Sequence, residues 1–120
     1  MKPYSRSDRV GGLIQQEMAV LLRKEISDPC LAAATITAVR VSADLRNAKI
    51  YFTATGIADA PRAALAGFQR ARGFIKRELA QRLGLRFMPD IQFFYDDSID
   101  RGARIEELIK MVKEDDKANH

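Results

Sequence analysis

An α+β fold with elements in the order α-β-β-α-α-β-α is predicted by three features of the chain. Apolar residues recur at three- and four-residue steps in several stretches. They alternate strictly in another. Gly, Pro, Asn or Asp stands where one period gives way to the next. The 120 residues, 47% hydrophobic and 30% charged, fit one domain. A chain of this length buries roughly two-thirds of the surface it exposes when unfolded, enough for a single core. The domain is expected over residues 1–113, followed by a disordered polar tail at 114–120.

The first helix is expected over 7–26. Val10, Leu13, Ile14, Met18, Leu21, Leu22 and Ile26 form its apolar stripe, and Ser7 or Asp8 caps its start. Ser27-Asp28-Pro29 stops it, because a residue before proline is driven out of the α region. A β-branched run at 33–42 reads as the first strand. The second, at 47–55, sets Ala48, Ile50, Phe52 and Ala54 on one face and Lys49, Tyr51, Thr53 and Thr55 on the other. Residues 43–47 make the turn between them.

Two helices are expected next, at 61–71 and 73–84, with Pro61 in the first turn and Gly84 as the final cap. Ala64, Leu65 and Phe68 face inward from one, and Phe74, Ile75, Leu79 and Leu83 from the other. Ala71 and Gly73 mark the kink between them, since glycine costs a helix interior about 1 kcal/mol against alanine. Ile91–Tyr95 is the third strand. A last helix is expected over 99–113, its stripe being Ile105, Leu108, Ile109 and Val112.

Charge narrows the function. The net of +4 is unevenly spread: residues 62–86 hold seven cations against Glu78 alone, a net of +6, while 87–100 carry −4. Basic clustering of this kind is the electrostatic footprint of a nucleic-acid binder. Arg70, Arg72, Lys76 and Arg77 surround the kink, where a bend brings cations and free helix N–H groups towards phosphates. Arg6 and Arg9 add charge at the first helix. Arg40, Arg46 and Lys49 add it on the hairpin, where each read singly is a solvated charge. Tyr51 is an aromatic available for base stacking.

Chemistry finds little support. His120 is the only histidine and the last residue given, which leaves little room for a Ser/His or Cys/His nucleophilic system. Neither a phosphate-binding GxxxxGK[ST] loop nor a GxGxxG turn is present. Asp96, Asp97 and Asp100 have the spacing to hold Mg²⁺ in an RNA-processing nuclease, but Asp97 and Ser98 are favoured helix caps and Asp100 suits a first helical turn. No resident metal or cofactor is expected. Cys30, the single cysteine, reads as a small semi-buried residue. Without a leader or a membrane span in the sequence, a cytoplasmic protein is expected.

Residues 5–112 resemble the bacterial ribosome-binding factor A family. The motifs are Arg9-Val10; Asp28-Pro29; Val39-x-Val41-Ser42-x-Asp44-Leu45-x-x-Ala48-x-Ile50-Tyr51; Gly73-Phe74-Ile75-Lys76-x-Glu78-Leu79-Ala80; Pro89-x-Ile91-x-Phe93; Asp97-Ser98; and Gly102-x-Arg104-Ile105. The resemblance implies a type II KH-like domain, a three-stranded mixed sheet covered by helices on one face. The usual Gly-x-x-Gly loop is replaced by the interhelical Ala71-x-Gly73 kink. It also implies a non-enzymatic factor that binds the free small (30S) ribosomal subunit, assists late maturation of 16S rRNA and supports growth in the cold. Arg6, Arg9, Arg70, Arg72, Lys76, Arg77 and Arg82 are the expected RNA-facing residues, on a monomer without membrane contact. Cys30 stands where the family often has arginine. A Mg²⁺-dependent nuclease and a protein–protein adaptor are the alternatives.

Overall fold

The structure is a computed structural model and describes residues 5–56 and 59–98. Helix α1 spans Arg6–Lys24, and a 3-10 turn follows at Pro29–Leu31. Strands β1 (Ala34–Val41) and β2 (Asn47–Ala54) come next, then helix α2 (Ala60–Leu83) and strand β3 (Asp90–Tyr95). The expected helix at 99–113 and the tail at 114–120 lie outside the described residues.

The sheet order is β1-β2-β3. β1 and β2 are antiparallel, and β2 and β3 are parallel. This is the mixed three-stranded sheet that the family resemblance implies. The parallel pair requires a crossover, and α2 supplies it. Ala48, Ile50, Phe52 and Ala54 of β2 are buried with Ile91 and Phe93 of β3. Alternation puts these residues on one face, and both helices cover it. Ile14, Met18 and Leu21 descend from α1, and Ala64, Phe68, Ile75 and Leu79 from α2. Phe68 lies between two rings, 4.8 Å from Phe52 and stacked on Phe93 at 4.7 Å.

The α1 cap lies earlier than the sequence predicts. Ser5 is the cap residue: its hydroxyl accepts from the Asp8 N–H at 3.1 Å, and the Asp8 carboxylate accepts from the Ser5 N–H at 3.3 Å. That reciprocal pair satisfies two orphan donors at once, which neither Ser7 nor Asp8 achieves as a cap.

The larger correction concerns α2. The two helices expected at 61–71 and 73–84 are one helix, so the order among the described residues is α-β-β-α-β. Gly73 is exposed and keeps a negative φ. Its cost of about 1 kcal/mol is outweighed by the buried stripe running through it, where Ile75 and Leu79 continue the line of Ala64 and Phe68. The helix ends at Gly84, which adopts the left-handed conformation (φ 61°) and donates to the Ala80 carbonyl.

Gly67 has a different task. A β-carbon there would stand 3.0 Å from Leu31 Cγ and 3.3 Å from Cys30 Cβ, so glycine lets the 3-10 turn close onto α2.

Candidate nucleic-acid interface

The start of α1, the β1–β2 turn, the middle of α2 and the loop before β3 converge on a cleft of about 620 Å³. Arg6, Arg46, Lys76 and Arg86 line it, facing only Asp44 and Asp90 among the described carboxylates. Val10, Leu45, Leu85, Met88 and Pro89 supply its apolar wall. Phe87 stands at its rim, 80% exposed, with the Arg86 guanidinium 5.6 Å from its ring centroid.

Local sequence fixes each cation. The Ser5–Asp8 capping box starts α1 at Arg6. Leu45 takes a left-handed conformation (φ 62°), and Asp44 accepts from the Ser42 hydroxyl at 2.6 Å and the Arg46 N–H at 3.1 Å. This turn aims Arg46 into the cleft. The Ser42 bond first, and the Arg46 N–H second, hold the Asp44 carboxyl below its ordinary value. Gly84 then turns the chain so that Arg86 and Phe87 project beside Lys76.

The residues expected to face RNA do not form one cluster. Arg6 and Lys76 share the cleft. Arg72 lies next to it: its guanidinium contacts Asp90, and its Nε donates to the Ile91 carbonyl at 2.8 Å. Lys76 Nζ reaches the same Asp90 at 3.5 Å. Arg70 turns the other way and pairs with Asp28 at 2.9 Å. Without a break at Gly73, Arg70 and Arg72 stay about 200° apart around the helix. Arg82 is bound by Glu25 at 2.9 Å, Glu17 at 3.3 Å and Glu78 at 3.6 Å, so it ties α2 to α1. Arg77 is exposed on the outer face of α2, and Arg9 lines a separate shallow depression with Leu13 and Gln16. Arg86 and Phe87 escape a reading by helical charge, because they lie in the loop after Gly84.

The acidic group does not read as a site in what is described. Asp96 accepts from the Thr37 hydroxyl at 2.6 Å and from the Ser98 N–H at 3.0 Å. Asp100 lies outside the described residues.

Asp28 carries a testable electrostatic role. The Cys30 N–H and the Arg70 guanidinium, each at 2.9 Å, hold its carboxyl below the ordinary carboxylate value, the Cys30 bond contributing most. The unfolded chain therefore binds the proton more readily. The contribution to stability is complete above about pH 4 and is lost as pH falls through the lowered folded value. The D28N variant is expected to be less stable than the parent at pH 6 and to lose less stability between pH 5 and pH 3. Urea midpoints at those pH values check this.

Comparison with known proteins agrees with this architecture. The family model described as "Ribosome-binding factor A" matches residues 6–109. A protein of that name from Desulfatibacillum aliphaticivorans is 46% identical over 112 residues, 93% of this chain and 91% of the relative. Another, from Thioalkalivibrio sulfidiphilus, is 42% identical over 119 residues, 99% of this chain and 92% of the relative. The crystal structure of ribosome-binding factor A from Thermus thermophilus superposes with a TM-score of 0.57 at 26% identity, covering 74% of this chain and 90% of that one. A homology model of the Thermus thermophilus protein, fitted into the map of a 30S complex, gives a TM-score of 0.55 at 26% identity, covering 71% and 93%. Matched from its first helix to near its end, this chain belongs to the ribosome-binding factor A family.

Proposed function

We propose that the protein binds the free small ribosomal subunit through the basic cleft and acts as a non-enzymatic factor in late 16S rRNA maturation. The observation that carries the reading is the convergence of Arg6, Arg46, Lys76 and Arg86, from four separate parts of the chain, beside an exposed phenylalanine. Cations positioned in this way meet phosphate oxygens, and the rim ring meets an unstacked base. Family membership supports the small subunit as the partner, as does the relative fitted into a 30S complex.

The mechanism is conformational selection. Binding energy spent on one arrangement of an RNA segment holds that arrangement until neighbouring helices dock, and release follows when docking removes it. No bond needs to be made or broken by the protein. Such a role, carried out by a monomer in the cytoplasm, matters most in the cold, when misfolded RNA rearranges slowly.

With four phosphate contacts, affinity is expected to fall about 50-fold between 50 and 200 mM salt, using the slope for single strands. Co-sedimentation across that range checks it. The protein is expected to travel with free small subunits and not with assembled ribosomes. Binding insensitive to salt overturns the cleft as the contact.

A further inference from the structure

The face of the sheet turned away from the helices has no covering element among the described residues, and its side chains are not those of a plain solvated surface. Alternation places Arg40 of β1, Lys49 and Tyr51 of β2, and Gln92 and Phe94 of β3 on that face. Tyr51 and Phe94 are directly paired across β2 and β3, their ring centroids 5.7 Å apart and tilted by 31°. Phe94 is 39% exposed. Lys49 Nζ stands 5.9 Å from the Phe94 centroid, and Arg40 is opposite Lys49 in the antiparallel register. Neither Arg40 nor Lys49 makes an ion pair among the described residues. Asp90, the acidic residue on the open side of β3, is engaged by Arg72 and Lys76 at the sheet edge.

We propose that Tyr51 and Phe94 form a stacking platform for unpaired bases of RNA, with Arg40 and Lys49 holding the adjoining phosphates. The platform is a second contact, separate from the cleft, and rests on the reading of the protein as an RNA binder. Paired aromatic rings on a sheet, flanked by cations, are what a single strand requires: π-faces at base spacing and positive charge beside them. Charge favours this occupant over a second copy of the chain. A two-fold self-contact would press Arg40 and Lys49 of one copy against those of the other. Duplex RNA is excluded by geometry, since its bases do not offer their faces to a flat sheet.

The chain has no tryptophan, so Phe94→Trp introduces a single reporter. In the free protein its emission is expected to be that of an exposed indole, accessible to iodide. An unstructured oligouridylate is expected to quench it, and a ribose-phosphate oligomer without bases is not. Phe94→Leu keeps apolar bulk but removes the π-face. It is expected to weaken oligouridylate binding about 5- to 150-fold with circular dichroism unchanged.

Any of four results overturns the proposal. One is unquenched emission with oligouridylate in excess. Another is a blue-shifted, iodide-resistant indole in the free protein. That result assigns the face to residues 99–120 if it persists on dilution, or to a second copy if dilution abolishes it. The third is oligouridylate affinity retained in the Phe94→Leu variant. If Phe94→Leu and Tyr51→Leu leave small-subunit binding intact while charge reversal in the cleft abolishes it, the platform fails and the cleft stands.

Discussion

Truncating Phe68 to alanine is expected to cost about 3–5 kcal/mol of stability, the largest loss from any single substitution in the described core. The reason is position. Phe68 is fully buried and joins two strands through its ring, tilted against Phe52 at 4.8 Å and stacked on Phe93 at 4.7 Å. Removing it takes away aromatic pairing as well as apolar transfer free energy, and leaves a cavity between a helix and a sheet that are each anchored elsewhere. A domain of this size is stable by only about 5–15 kcal/mol, so the substitution consumes a large share of the total. Urea unfolding measures it, with the midpoint lowered and the slope little changed. A loss below about 1.5 kcal/mol means that α2 and β3 close the gap by moving, and that the helix is less firmly seated than the ring contacts imply.

Charge reversal in the cleft, Lys76→Glu with Arg86→Glu, is expected to give the largest loss of binding. At about 0.1 M salt each phosphate contact to a single strand contributes roughly fivefold, so removing two lowers affinity at least about 25-fold, and the added negative charge lowers it further. The salt dependence separates this from unfolding. With two contacts gone, the slope of log affinity against log salt is expected to halve, from about −2.8 to about −1.4. Arg82→Gln is the informative control. Arg82 is held by Glu17, Glu25 and Glu78, so its loss is expected to lower the stability of the α1–α2 junction and leave both affinity and salt slope in place. If Arg82→Gln weakens subunit binding as much as the double reversal does, the RNA surface lies along α1 and not in the cleft.

The sheet was legible because its signals are local. Ala48, Ile50, Phe52 and Ala54 alternate with polar residues, and a shift by one position would turn that whole set out of the core. The single helix α2 was also legible, in Ala64, Phe68, Ala71, Ile75 and Leu79, which step by three or four straight through Gly73. Glycine carried more weight in the sequence reading than it carries in the structure, because burial of that stripe exceeds a local propensity of about 1 kcal/mol. The site was only half legible. Nothing local says that Arg70 is neutralised by Asp28, 42 positions away, or Arg82 by Glu17, 65 positions away. Clustering along the chain was a poor guide to clustering in space. The cations that meet in the cleft are Arg6, Arg46, Lys76 and Arg86, spread over most of the described chain.

Among the described strands β3 is the outermost on its side of the sheet, and Arg72 donates to the Ile91 carbonyl there. An incoming strand at that edge would lose a hydrogen-bond acceptor and meet a guanidinium in its place. Strand addition along this edge therefore begins with one backbone acceptor already taken.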